Sequence, residues 1–217
     1  MVALAFSILF YAEGYRLNLK NFKLTKVGIL YLVSDPKDGH IHLNSEVLNE
    51  TSPYKASLDP GTYYVKIEKD GYVTWFRNVR IESEKVTEYE SIKLYKNNIE
   101  PQDLNDPSKI ELLNAPDDSL ASKTAGNPLI DNGYEIWQNG KLVTRFSTLI
   151  SSVKWYSDRE HIAYQQGSEI RIIEKDGQND TLLAKLSSVN IERYVFSAKG
   201  DEIYFTDQGK YKSAKIR

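Results

Sequence analysis

His40 and His42 stand two apart, with Asp38 just before them. Two imidazoles on one face of a strand can ligate a metal, but a metal centre needs a converging set, and no third ligand is specified locally. The pair is expected on a solvent-facing strand, with no metal. His161 lacks a partnered serine or acid and is expected to be solvated in a turn. Glu82, Glu84, Glu88 and Glu90 alternate with other residues. Two carboxylates facing a cleft would suit glycoside hydrolysis, but nothing isolates two of these four, and they read as the charged outer face of a strand. The chain has no cysteine, which excludes disulfides, thiolate nucleophiles and cysteine zinc sites. No glycine-rich loop leads into a helix to cradle phosphate. Asn49-Glu50-Thr51 and Asn179-Asp180-Thr181 match glycosylation sequons, which matter only in a suitable secretory pathway. No catalytic residue and no cofactor is expected, and the chain does not read as an enzyme.

The other chemistry within reach is contact. Formal net charge is −2, so there is no global electrostatic reason to bind nucleic acid. The aromatic-rich stretch LDPGTYYVKIEKDGYVTWF over residues 58–76 is bracketed by Asp59-Pro60-Gly61-Thr62, a type II turn pattern, and Asp70-Gly71, a type I′ hairpin signal. A two-residue loop sets Lys69 against Tyr72, Ile67 against Thr74, Lys66 against Trp75 and Val65 against Phe76. The inner face then carries Tyr63, Val65, Ile67 and Phe76. The outer face carries Tyr64, Val73 and Trp75 beside Lys66 and Arg77. Trp75 on a polar face is covered by another element, turned inward by a bulge, or part of a contact patch. Tyr64 and Trp75 are the candidate contact residues.

The elements that position them are strands. With 217 residues, 41% hydrophobic and 27% charged, the chain is long enough for one or two cored domains. Its 15 tyrosines suit a pleated surface. Val2–Ala12 is apolar, shorter than the about 20 residues that span a bilayer. It reads as the trailing half of a membrane anchor, followed by a basic flank of Arg16, Lys20, Lys23 and Lys26; the alternative is a buried strand or short helix. The organisation is 1–26 anchor and flank, 27–96 a first folded unit, 97–131 a proline-rich linker with a short helical turn or strand at Lys109–Leu113, and 132–217 a second unit.

The residues Ser34, Pro36, Gly39, Asn44, Thr51, Pro53, Leu58, Pro60, Gly61, Tyr63, Val65, Ile67, Gly71, Tyr72 and Trp75 together resemble the pattern of a PEGA domain over about residues 28–95. Asp38 is inserted before Gly39, His40 replaces the name-giving alanine, and Ser52 separates Thr51 from Pro53. The resemblance implies a small β-sandwich of the kind found on bacterial and archaeal surface proteins, structural or adhesive and without catalysis.

In the second unit, Trp155-Tyr156-Ser157-Asp158 before Ile162-Ala163-Tyr164 matches Val195-Phe196-Ser197-Ala198 before Ile203-Tyr204-Phe205. The pattern is similar to that of periplasmic WD-type propellers. It implies two to two-and-a-half blades, fewer than the four to eight that close a ring, so the chain reads as a fragment; a short β-sandwich is the alternative. The expected fold is thus all-β: a PEGA-like β-sandwich plus an incomplete β-propeller. The expected role is a membrane-tethered scaffold or recognition module on the extracytoplasmic face of a bacterial or archaeal cell, binding an envelope protein or glycan. The alternatives are the front part of a propeller hydrolase or peptidase and a purely mechanical spacer.

Overall fold

Short runs rich in β-branched and aromatic residues, punctuated by turn residues, leave little room for helices. A computed structural model of the chain describes residues 14–18, 23–115 and 129–217. They form an all-β architecture of several sheets with one short helix. The apolar run 2–12, on which the expectation of an anchor rests, lies outside the described residues. Among the described residues no helix is long and apolar enough to cross a membrane. The basic flank begins a two-stranded ribbon, β1 (Tyr15–Asn18) with β2 (Lys23–Lys26), and Lys26 pairs with Glu84 at 2.6 Å.

The described residues up to Asp70, with Thr74–Leu94, make one unit; Gly71–Val73 with Tyr95–Arg217 make the other. In the first, β3 (Gly28–Asp35) lies between β6 (Tyr54–Leu58), antiparallel to it, and β9 (Val86–Lys93), parallel to it. A second sheet has the order β5 (Glu46–Thr51), β4 (His40–Leu43), β7 (Gly61–Glu68), β8 (Trp75–Ile81). Period-two alternation buries Leu30 and Leu32 of β3, Ile41 of β4, Val65 and Ile67 of β7, and Val79 and Ile81 of β8. Gly39 is needed at the entry to β4, because a Cβ there would lie 2.5 Å from Ile67 Cγ2. The inserted Ser52 has a structural part as well: its buried hydroxyl accepts the Ser34 backbone N–H at 2.7 Å.

The expected turns are corrected. Gly61 is a strand residue paired with Ile81, without the left-handed φ that the type II reading gave it. Gly71 does take φ +82°, but the loop is longer than two residues. Its backbone is engaged elsewhere: the Val73 N–H donates to the Tyr95 carbonyl at 2.7 Å, and the Asn97 N–H to the Gly71 carbonyl at 3.0 Å. The register therefore slips by one. Ile67 faces Trp75, Lys66 faces Phe76 and Val65 faces Arg77, so Trp75 and Phe76 exchange faces.

The second unit holds three antiparallel sheets: β11 (Leu129–Asp131), β12 (Glu135–Gln138), β13 (Lys141–Arg145); then β14 (Ile150–Trp155), β15 (His161–Gln166), β16 (Glu169–Glu174), β17 (Thr181–Lys185); then β18 (Tyr194–Phe196), β19 (Glu202–Asp207), β20 (Lys210–Lys215). The last is completed by β10 (Gln102–Asp103), which pairs with β20. The segment expected as a linker thus contributes a strand to this unit. It also contributes a helix, α1 (Pro107–Asn114), capped by Asp106, whose Oδ1 accepts the Ser108 N–H at 3.0 Å. Residues 116–128 lie outside the described residues. The middle sheet is covered on both faces. Ile162, Tyr164 and Ile173 enter one core with Leu129, Ile136, Ile150 and Val153, while Ala163, Ile170 and Ile172 enter another with Tyr194, Ile203 and Phe205. No closed barrel or ring of blades is seen among the described residues. The segments expected to repeat each form an antiparallel strand pair, Trp155 with Ile162 and Phe196 with Ile203, which does not by itself make a propeller repeat.

Candidate functional site

Strand β7 alternates Thr62, Tyr64, Lys66 and Glu68 outward, and strand β8 sets Phe76, Asn78 and Arg80 on that same side. Their side chains form the outer face of the four-stranded sheet. Tyr64 is 40% exposed, as the sequence led one to expect. Trp75, expected beside it, is 3% exposed. The one-residue register shift turns it inward, where its ring meets Tyr89 edge-on at 5.8 Å and Arg77 lies 5.9 Å above it. Trp75 is a core residue and leaves the contact face. Phe76, expected inside, takes its place at 50% exposure, its ring centroid 6.2 Å from that of Tyr64 and the planes 36° apart.

Around this pair the face is polar and internally satisfied. The Asn44 side-chain oxygen accepts the Tyr64 backbone N–H at 2.9 Å, while Asn78 sits directly across from Tyr64 on β8. Glu68 takes Lys66 Nζ at 2.7 Å and His42 Nε2 at 2.8 Å. The Lys66 hydrogen bond is the main reason that the Glu68 carboxyl titrates below its ordinary range, with His42 adding to the effect. His42 is therefore tied to a carboxylate on this face, while His40 lies across from Glu68 and is exposed. Among the described residues no group of three or more His, Asp or Glu side chains is placed to hold a metal. Val47, opposite His42 on β5 and 63% exposed, extends the apolar part of the face.

His161 corrects a second expectation. It is 4% exposed rather than solvated, and it is partnered: Nδ1 lies 2.9 Å from Asp158 Oδ2. Asp158 Oδ1 also accepts the backbone N–H groups of Glu160 at 2.8 Å and His161 at 3.1 Å. Burial pushes the Asp158 carboxyl up, but the His161 ring and these N–H groups outweigh it, so it titrates below its ordinary range. Tyr95 and Tyr156 each meet the His161 ring edge-on at 6.1 Å, completing a packed ring cluster. The arrangement locks a turn and offers no nucleophile. The signal was available locally, since an Asp three residues before a strand entry is a turn-capping pattern. Glu82 and Glu84 are engaged with Lys85 and Lys26, and Glu88 and Glu90 point outward from β9.

Residues 27–97 match the PEGA domain. That stretch contains the two larger sheets of the first unit and the Tyr64–Phe76 face, so the candidate site lies within the matched residues. No curated protein matches the chain. Among solved structures, one from Bacteroides fragilis, described as a candidate membrane-associated protein of unknown function, is 11% identical. The comparison covers 88% of this chain and 95% of that one, with a TM-score of 0.29.

Proposed function

We propose that the chain is a non-catalytic recognition or scaffold module, tethered to the membrane and working on the extracytoplasmic face of a bacterial or archaeal cell. Its contact surface is the outer sheet face of the PEGA domain, with Tyr64 and Phe76 at the centre, and its partner is an envelope protein or glycan. The observation that carries this reading is the side-by-side exposure of two aromatic rings, in a matched stretch whose other large rings are buried or half-buried. The PEGA match and the apolar run Val2–Ala12 support the location. A non-catalytic role is favoured by how the ionisable groups are engaged: Glu68 with Lys66 and His42, Asp158 with His161, and Arg171 with Glu169 and Asp180. The three sheets of the second unit read as blades of an incomplete propeller. Their up-and-down strand order, and the completion of the last sheet by β10, support that reading.

Sedimentation with bacterial envelope fragments tests the proposal. The native chain is expected to be carried down. The double variant Tyr64→Thr/Phe76→Thr, which keeps strand-forming residues, is expected to lose at least about tenfold in retention, as loss of central aromatic anchors does. Val86→Ala removes an exposed apolar side chain from the other sheet and should change nothing. Equal retention of all three proteins would remove this face as the contact surface.

A further inference from the structure

We infer that the ligand of the Tyr64–Phe76 face is an oligosaccharide chain; this rests on the recognition reading above and names its ligand class. Three features of the face point there. The two rings, tilted by 36° with centroids 6.2 Å apart, make a shallow platform rather than a pocket. Ring faces of this kind stack on the apolar C–H faces of sugar rings, as they do on other flat partners that have polar edges. The groups beside the platform are hydrogen-bonding, and Arg80, exposed on the same side of β8, adds a cation. Asn44 and Asn78 flank Tyr64, and the Lys66 ammonium is balanced by the Glu68 carboxylate at 2.7 Å, which also takes the His42 N–H. Amides, a carboxylate and an ammonium side by side offer both acceptors and donors to hydroxyl groups.

The third feature is size. A stable protein interface buries about 800 Å² per partner around an apolar, desolvated centre. The exposed large apolar side chains on this face are Val47, Tyr64 and Phe76, and the first is separated from the rings by the His42 and Lys66 rows. That is a small patch set in polar surface, below what a protein partner needs at the centre of its interface. It matches a slender chain of sugar rings, one or two of which lie on the aromatics while their hydroxyls reach the amides.

Envelope sedimentation with two pretreatments tests this. Periodate cleaves the vicinal diols of sugars; a broad protease digests protein. The expected result is that periodate lowers retention of the native chain at least about tenfold and that protease leaves it unchanged. Tyr64→Thr/Phe76→Thr should match the periodate result on untreated envelopes. Retention that survives periodate and is lost to protease, while still depending on both rings, overturns the oligosaccharide and leaves the recognition face standing with a protein as partner. Retention indifferent to the ring substitutions overturns both the ligand and the face.

Discussion

Asp158 and His161 show what a single charged side chain does when it is buried with its partners. Asp158 accepts from two backbone N–H groups and contacts the His161 ring. Asn in its place can keep the backbone bonds but not the charge against the ring. Asp158→Asn is therefore expected to lower stability by about 1–3 kcal/mol at neutral pH. Folding lowers the carboxyl pKa, so this contribution is complete above the unfolded value near about 4 and fades as pH falls through the folded value. Urea unfolding of native and variant chains over a pH series should show the gap closing on the acid side of about pH 4. A gap that stays constant down the acid limb would mean that the carboxylate charge plays no part. As a catalytic group His161 lacks a triad, which is why the sequence alone points to solvent for it. Its role as the ring against which a turn-capping Asp is fixed was visible in the Asp158-x-x-His161 spacing.

At the scale of the strand, everything at the candidate site depends on which of two adjacent aromatics faces the core. Two rules competed over Trp75 and Phe76. The Asp70-Gly71 turn rule gave a two-residue loop and put Phe76 inside. The alternation along β8 pairs Trp75 with Val79 and Ile81, and Phe76 with Asn78 and Arg80, and this puts Trp75 inside. The second rule holds, because a strand with one buried face fixes its own parity whatever the loop does, and because the loop backbone bonds to residues 95–97. Trp75→Ala is expected to cost about 3–5 kcal/mol, while Phe76→Thr stays within about 0.5 kcal/mol. Chemical denaturation of the two variants checks the register; similar costs would contradict it. Tyr64, on the shorter arm of the argument, kept its face, since its parity in β7 is set by Val65 and Ile67 alone. The bond between Ser34 and Ser52 was not legible, because no local rule links residues so far apart in the chain.

At the scale of the molecule, the first unit was read from a resemblance carried by named residues, and the match over 27–97 bears that reading out. The second unit was read from a weaker repeat. Its strands pair as antiparallel sheets, but the described residues do not show the incomplete propeller that the repeat implies. The reason is physical. Aromatic and aliphatic residues near a turn mark a strand boundary, but how sheets are laid on one another is set by contacts distant in sequence. The linker expected over 97–131 fails in its described part for the same reason: Pro101 and Pro107 do break regular structure, yet Gln102–Asp103 pairs with a strand more than a hundred positions away, and Pro107 opens a helix. Stability should follow the stacking. Hydrogen exchange is expected to be slowest at the amides of β15 and β16, whose side chains enter cores on both faces, and faster in β12 and β13. Uniform protection across the three sheets would contradict this order.

The doubly covered sheet also constrains how this chain can change. A residue of β15 or β16 that grows or shrinks disturbs the neighbours on its own side, and the strand shift that relieves it is felt on the opposite side. Ile162 and Ala163, adjacent in sequence and facing opposite ways, should therefore behave as a linked pair, tolerating alteration together or not at all, while the outward rings of the first unit remain at liberty to drift toward a new ligand.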